Sequence, residues 1–164
     1  MKPIKIGYKL WCLADQKGYI KKFQVYQGKD EQLENEFKDC GLGERVVLSL
    51  TKNEWGKKKQ IFFDNFFTSI PLLEKLKIEN SLACGKIRAH RKGIPILHDD
   101  SKLARGSTDY KITDSGIGVF KWKDTKSVLL ASNYHGTEKT TVSVSRYNSV
   151  YLHTRAVLLL EFCF

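Results

Sequence analysis

Near the start of the chain, apolar and polar residues alternate in the manner of a β-hairpin. The segments IKIGYKLWCLA (residues 4–14) and YIKKFQVYQ (residues 19–27) are rich in β-forming residues, and the second alternates regularly. Between them, the polar run DQKG (residues 15–18) ends in glycine, which is typical of a turn. We therefore predict two antiparallel strands, followed by an acidic, weakly patterned loop at residues 31–38.

The next part of the chain alternates between helical and strand-like patterns. Apolar positions recur at helical spacing within residues 44–52, and QIFF (residues 60–63) reads as a short buried strand. A second helix follows, with Thr68 or Ser69 as its cap, and then the strand-like run SLACGKI (residues 81–87). Helices that alternate with strands in this way predict an α/β fold built around a mixed sheet.

Three short strand-like segments then predict a small antiparallel meander, either a subdomain or an insertion. They occupy residues 107–113, 117–123 and 127–132, and the polar turns DSG and DTK separate them. The final segment AVLLLEFCF (residues 156–164) is apolar but far shorter than the roughly 20 residues that cross a bilayer. We expect no membrane association, and we interpret this segment as a core strand or as a terminus without a packing partner.

Composition and charge narrow the class of partner. The chain is 41% hydrophobic and 12% aromatic, which excludes a disordered protein. Its formal net charge is +10, with a local concentration in KIRAHRK (residues 86–92, the basic segment), and such a field favours nucleic acid or an anionic surface. The four cysteines form no C-x-x-C pair and no zinc-finger spacing, so we expect reduced thiols and an intracellular compartment.

Asp64 is the candidate for metal chemistry, because it directly follows the apolar run IFF and precedes a tight turn. Open α/β sheets place sites at such strand ends, and several convergent carboxylates can hold Mg²⁺ there. One carboxylate makes no two-metal site, so the residues alone favour a simpler role in which Asp64 ends the strand and satisfies backbone donors. Asp99, Asp100 and Asp109 lie in polar stretches and are expected to be solvated.

The basic segment is the candidate for nucleic-acid contact. In a continuing strand, Lys86, Arg88 and His90 would share one face, and a loop could bring Arg91 and Lys92 beside them. Such cations contact phosphates without reading the bases. A solvated, charged edge that deters strand pairing fits the same spacing equally well.

The segments IFFDNFFTSIPLLEKLK and LACGKIRAHRKGIP closely resemble the piggyBac transposase family. The resemblance extends to KPIKIGYKLWCLAD, GYIKKFQVYQGK and GLGERVVLSL upstream and to GVFKWKDTKSVLLASNYHG downstream, so it covers roughly residues 2–136. It implies an incomplete ribonuclease-H-like mixed sheet with flanking helices plus a small antiparallel β insertion. We accordingly predict a partial core at residues 1–90, a β-rich insertion subdomain at 91–136 and a divergent tail at 137–164.

The same resemblance implies a Mg²⁺-dependent DNA transposase that uses three aspartates and moves at TTAA targets. Asp64 matches the second aspartate, whereas the family segments that carry the first and third have no counterpart in this sequence. We predict a truncated, transposase-derived nuclear protein that binds DNA through Lys86, Arg88, Arg91 and Lys92 without cut-and-paste activity. The alternative is a non-catalytic interaction module or an inert transposon relic.

The resemblance also raises a question about the middle of the sheet. In the ribonuclease-H arrangement the first strand lies between the hairpin and the strand that ends at Asp64, and the resemblance begins after that strand. The two halves of the sheet then pair directly, or the apolar tail fills the gap, or the chain is unstable alone. An open sheet edge would also favour self-association or pairing with a partner.

Overall fold

One mixed eight-stranded sheet organises the part of the chain that the computed structural model describes, residues 9–28, 31–136 and 156–163. The elements in chain order are β1 (Lys9–Asp15), β2 (Ile20–Val25), α1 (Glu31–Glu36), α2 (Leu42–Thr51), β3 (Gln60–Phe63), α3 (Ile70–Ile78), β4 (Leu82–Lys86), β5 (Thr108–Ile112), β6 (Gly118–Lys123), β7 (Ser127–Ser132) and β8 (Ala156–Cys163). Short 3-10 turns lie at Lys52–Glu54 and Asp100–Lys102. The mixed α/β class is therefore confirmed.

The strands follow the order β2-β1-β8-β3-β4-β7-β6-β5 across the sheet. Strand β3 is parallel to both of its neighbours, β4 and β8, and the other pairs are antiparallel. The predicted hairpin is present, with Cys12 opposite Phe23, and the predicted meander is formed by β5, β6 and β7.

The apolar tail lies in the middle of the sheet. Strand β8 pairs antiparallel with β1 from Lys9 opposite Cys163 to Asp15 opposite Val157. It also pairs in parallel with β3, where Phe63 stands opposite Leu159. Of the three alternatives for the gap in the sheet, the structure has the one in which the tail fills it, and this arrangement gives the backbones of β1 and β3 hydrogen-bonding partners.

Helices α2 and α3 cover one face of the sheet and bury the core against it. Each helix directs its fully buried side chains toward the sheet, as an amphipathic helix does. The buried apolar residues of the two helices and of the strands include Val46, Val47, Leu48, Leu50, Ile70, Leu72, Leu73, Leu76, Trp11, Leu13, Ile61, Phe63, Ala83, Val119 and Ala131. Within the described residues, no helix combines the length and apolarity that a membrane crossing requires.

Capping explains where the two long helices begin. Ser69 accepts a hydrogen bond from the Leu72 amide at 3.2 Å, and Pro71 occupies the first turn of α3, so the predicted Ser69 cap is confirmed. At the start of α2, the Glu44 carboxylate accepts a hydrogen bond of 2.9 Å from the Gly41 amide. The second Glu44 oxygen accepts a hydrogen bond from the Ser69 hydroxyl, which joins the beginnings of the two helices.

The prediction of a loop at residues 31–38 is wrong over its first part. Helix α1 spans Glu31–Glu36, because glutamate, glutamine and leucine are good helix formers. An ion pair of 3.1 Å between Glu34 and Arg45 joins it to α2. This tertiary contact has no signature in local apolar spacing, so the weak pattern alone could not indicate the helix.

The meander continues the main sheet instead of standing apart from it. Strand β7 pairs with β4, where Cys84 lies opposite Ser132 and Lys86 lies opposite Leu130. The boundaries predicted at residues 90/91 and 136/137 remain predictions. Residues 137–155 of the predicted tail lie outside the described residues.

Candidate nucleic-acid interface

Asp64 stands at the end of β3, at the start of a tight turn. Its backbone oxygen accepts hydrogen bonds from the Phe67 amide at 3.0 Å and from the Thr68 hydroxyl at 3.0 Å. The side chain of Asp64 is exposed, and within the described residues no hydrogen bond or ion pair engages its carboxylate. Asp64 therefore ends the strand, as its sequence context predicts. The nearby donors are satisfied by its backbone oxygen and not by its carboxylate, which faces solvent.

The turn after Asp64 is packed tightly from two sides. A Cβ atom added to Gly85 on β4 would stand 2.6 Å from the Phe63 oxygen and would also collide with the Thr68 hydroxyl. On the other side, a Cβ atom added to Gly43 on α2 would stand 3.0 Å from the Phe66 oxygen. Glycine is thus needed at position 85 for close approach, since no larger residue leaves room for the turn.

The basic segment folds back onto this turn. The Arg88 guanidinium donates to the Asn65 side-chain oxygen at 3.4 Å. The Arg91 guanidinium donates to the backbone oxygen of Phe66 at 2.8 Å and to that of Asn65 at 3.4 Å. The structure therefore brings Arg88 and Arg91 of the basic segment to the turn that begins at Asp64. The half-buried Arg91 side chain holds that turn through its contacts with backbone oxygens.

The continuing strand in which Lys86, Arg88 and His90 would share one face is not formed. Strand β4 ends at Lys86, and the chain turns immediately afterwards, with the Arg91 amide donating to the Arg88 oxygen at 3.1 Å. Ile87 anchors this end of the strand in two ways. Its side chain is buried, and its backbone amide donates to the Leu129 oxygen at 3.0 Å. Lys86, Arg88 and Lys92 are nonetheless all exposed on the segment that surrounds the turn.

Lys9 is a further cation near the turn that spacing along the sequence did not indicate. Its ammonium lies 5.9 Å from the centroid of the Phe66 ring, within the range of a cation–π interaction. Lys9 begins β1, so only the pairing of distant strands brings it to this position. The aromatic run after Asp64 was the available signal, since the face of an aromatic ring attracts cations.

The donor set around Asp64 does not fit a magnesium ion. Among the side chains of residues 9–28 and 34–136, no group of three or more histidine, cysteine, aspartate or glutamate residues is arranged to hold a metal. Magnesium keeps its water molecules unless several protein or substrate oxygens converge on it. We therefore derive no chemical step through a metal ion at Asp64 in this chain.

Comparison with known proteins identifies the family. Residues 1–160 match a family model described as Transposase IS4. The chain is 40% identical over 154 residues to the human piggyBac transposable element-derived protein 3, and this match covers 90% of the chain and 25% of the relative. The chain belongs to the piggyBac transposase family. The predicted family is thus confirmed.

Other piggyBac proteins give the same picture. The human piggyBac transposable element-derived protein 2 is 34% identical over 143 residues, a match that covers 84% of the chain and 24% of that protein. A cryo-EM structure of a piggyBac transposase synaptic complex with hairpin DNA superposes with a TM-score of 0.72 at 26% identity. That match covers 87% of this chain and 30% of the transposase chain. The chain spans about a quarter of the length of the curated relatives, 25% and 24%.

The piggyBac-like segment SNYHG holds a structural residue that sequence reasoning missed. The side chain of Asn133 accepts from the Ala83 amide at 2.7 Å and donates to the oxygens of Ser81 at 2.9 Å and Leu73 at 3.2 Å. One amide group, placed directly after β7, therefore joins the middle of α3 to the start of β4. An asparagine directly after a predicted strand was the only available signal, since it supplies both a donor and an acceptor.

The neighbouring His135 is also engaged inside the chain. Its Nδ1 atom lies 2.8 Å from the Ser132 hydroxyl, and its ring packs on Tyr134 with centroids 4.0 Å apart. Burial lowers the pKa of His135, which favours the neutral ring. Burial also raises the pKa of the nearby Cys84 thiol to about 11, so that thiol remains protonated at neutral pH.

Two of the three carboxylates that were expected to be solvated, Asp100 and Asp109, are paired instead, whereas Asp99 is exposed as expected. Asp100 forms ion pairs with Lys121 at 2.6 Å and with Lys123 at 3.2 Å. Asp109 accepts a hydrogen bond of 2.7 Å from the amide of His98. The hydrogen bond from Lys121, together with weaker contributions from its neighbours, holds the pKa of Asp100 well below its usual range. These contacts fix the loop around residues 98–102 on one face of the meander.

Proposed function

We propose that this chain is a transposase-derived DNA-binding protein of the piggyBac family that does not itself carry out transposition. The observation that carries the proposal is the exposure of Lys86, Arg88 and Lys92 around the turn that begins at Asp64. The chain's formal net charge of +10 adds a long-range field that attracts a polyanion. A nuclear location is part of this proposal, because DNA is the partner.

The basic segment is suited to phosphates and not to base edges. Within the described residues the exposed Arg88 side chain makes one long hydrogen bond, at 3.4 Å, so its guanidinium has donors left for phosphate oxygens. Lys86 and Lys92 supply point charges on either side of it along the chain. We expect binding that depends steeply on salt and weakly on DNA sequence.

The proposal assigns Asp64 no catalytic step in this chain. Transfer of a DNA strand by a transposase with an aspartate triad needs several carboxylates on the same metal ions, and the side chains of residues 9–28 and 34–136 form no group of three or more potential metal ligands. We expect this chain, incubated with Mg²⁺ and transposon-end DNA, to give no cleaved or joined product. Formation of product that disappears in an Asp64→Asn variant would contradict this part of the proposal.

Binding to a labelled DNA duplex, followed by fluorescence anisotropy at several salt concentrations, tests the DNA-binding part. The variant replaces Lys86, Arg88 and Lys92 by alanine and keeps Arg91, because Arg91 holds the turn. Its affinity should fall, and the slope of log affinity against log salt should decrease by roughly two to three.

A charge-matched control separates the basic segment from net charge. Replacing Lys17, Lys38 and Lys126 by alanine removes three exposed charges that lie outside the basic segment. The control should lose much less affinity than the variant of the basic segment. Equal affinity of both variants would mean that the basic segment is not the binding surface.

An interaction module is the second candidate, and the edge strand β2 favours it. Among the described strands β2 ends the sheet, and Tyr19, Ile20 and Phe23 are 76%, 48% and 61% exposed. An exposed apolar edge strand is a template for pairing with another copy of the chain. Sedimentation over a range of concentrations should show association that Phe23→Lys abolishes, and a monomer at all concentrations would exclude this candidate.

A further inference from the structure

The β5–β7 meander has one covered face and one open face. Lys121 and Lys123, which alternate with Phe120 and Trp122 along β6, are bound to Asp100 on the loop that crosses the covered face. Their side chains are only 12% and 19% exposed as a result. Because neighbouring residues of a strand point to opposite faces, Phe120 and Trp122 belong to the open face.

The open face presents aromatic rings in cross-strand rows. The pairing places Tyr110 opposite Phe120, Phe120 opposite Leu130, and Leu130 opposite Lys86, so these residues form one row across four strands. The rings of Tyr110 and Phe120 have centroids 6.1 Å apart at an angle of 34°. Trp122 lies in the next row, since it pairs with Thr108 and Val128.

These rings are exposed to a degree that core packing does not require. Tyr110 is 44% exposed and Trp122 is 46% exposed, whereas Val119, which alternates with them on the covered side, is fully buried. Helices α2 and α3 pack on the opposite face of the sheet. In the part of the chain that the structure describes, no helix covers the open face.

We propose that this aromatic face, Tyr110, Phe120 and Trp122, binds single-stranded nucleic acid. Aromatic side chains on adjacent strands are a platform on which unpaired bases stack, and stacking is available to every base. Lys86 ends the same row and begins the basic segment, so a strand stacked on the rings has cations for its phosphates at one end.

Charge favours nucleic acid over an apolar protein segment as the occupant. The chain carries a formal net charge of +10, and the cation at the end of the aromatic row is exposed Lys86. The inference uses the same class of partner as the proposed function, but it concerns a different surface and a different form of DNA. Binding of duplex by the basic segment does not require the aromatic face.

Trp122 gives the face its own spectroscopic reporter. The chain has three tryptophans, and Trp11 is only 2% exposed while Trp55 is partly buried and donates to Thr51 at 3.1 Å. Stacking of a base on Trp122 should therefore quench its emission without affecting the other two. Titration with a short thymidine oligonucleotide should quench the fluorescence, and Trp122→Phe should lose the quenching but keep the affinity within about twofold.

Removal of the rings tests the affinity. The double variant Tyr110→Ala, Trp122→Ala should bind the oligonucleotide at least about tenfold more weakly, because it removes two of the rings on which bases stack. Duplex affinity should be unchanged. The control Ile78→Ala, Ile96→Ala removes two exposed apolar side chains that lie outside the aromatic face, and it should leave both affinities as they were.

The outcomes separate this inference from the proposed function. Oligonucleotide binding that the double variant does not weaken, or that leaves Trp122 emission unchanged at saturation, overturns the inference while duplex binding stands. Loss of self-association in the double variant with unchanged oligonucleotide binding identifies a protein contact and also overturns it. Duplex binding that is absent while ring-dependent oligonucleotide binding remains overturns the proposed function alone.

Discussion

The guanidinium of Arg91 donates a hydrogen bond of 2.8 Å to the backbone oxygen of Phe66. This contact joins the basic segment to the turn that begins at Asp64, and it accounts for the partial burial of Arg91. Arg88 contacts the same turn at 3.4 Å from an exposed position. Although the two arginines are only three residues apart, they have different roles. Arg91 stabilises the fold, whereas Arg88 remains available to a ligand.

We predict that Arg91→Ala lowers the free energy of unfolding by about 2 kcal/mol, the range for a partly buried hydrogen bond to a charged group. Arg88→Ala should change it by less than about 0.5 kcal/mol, because exposed polar contacts contribute little. Urea denaturation followed by circular dichroism measures both values. A larger loss for Arg88→Ala than for Arg91→Ala would contradict the difference in roles.

Gly85→Ala should destabilise the protein by about 1–3 kcal/mol, the usual effect of overpacking. The added methyl group would meet the Phe63 oxygen at 2.6 Å, and backbone atoms cannot move away as a flexible side chain can. Gly136→Ala is the control, since nothing lies within 4 Å of a Cβ atom there. Thermal unfolding of both variants tests the prediction, and equal melting temperatures would refute it.

Asn133→Ala should lower the free energy of unfolding by on the order of 3 kcal/mol. The substitution leaves the Ala83 amide and the Ser81 and Leu73 oxygens without the partner that they have now. Asn53→Ala, at an exposed position in a 3-10 turn, should have almost no effect. Denaturant titration of both variants measures the two free energies of unfolding. Equal losses in Asn133→Ala and Asn53→Ala would show that the hydrogen bonds of Asn133 are not the cause.

Stability should fall as the pH is lowered through the range where histidine titrates. Burial lowers the pKa of His135 in the folded protein, so below a pH of about 6.5 the unfolded chain binds the proton more readily. The stabilising effect of the neutral ring is complete above that pH and is lost as the pH falls through the folded-state value. His135→Gln should therefore show a flatter dependence between pH 7.5 and pH 5.5, about the range in which ordinary histidines titrate.

An unchanged pH dependence in His135→Gln would assign the effect to another group. His98 is the natural comparison, because it is 64% exposed and lies 3.0 Å from the Asp109 carboxylate. The His135 ring, by contrast, lies in a partly buried site, where burial disfavours a positive charge. His98→Gln should consequently leave the acid-induced loss of stability largely intact.

Local pattern was sufficient for most strands of this fold. The run QIFF predicts β3 with the bounds that the structure has, and SVLLAS does the same for β7. Alternation and turn residues are local properties, so each hairpin or meander strand could be located from a few neighbouring residues. Helix α1 could not, because its contact with α2 through Glu34 and Arg45 depends on tertiary structure.

The candidate site was harder to predict because its contacts join distant parts of the chain. The sequence indicates Asp64 and the basic segment as two separate candidate sites. The resemblance to transposases assigns both to DNA chemistry, but it does not indicate that they are in contact. No spacing rule indicates that Arg91 would donate to Phe66, 25 residues earlier, or that Asp100 would pair with Lys121. Such pairings are decided by strand register, which a single sequence specifies only through the packing of the whole sheet.

The position of β8 has a consequence for how the protein is made. Strand β3 pairs at Phe63 with Leu159, so the middle of the sheet closes only after the ribosome has added the last described strand. Until then β1 and β3 each carry an unpaired edge beside apolar side chains. Long-range pairing of this kind is slow and exposes the nascent chain to aggregation, so its yield in cells should depend on chaperones that bind unfinished sheets.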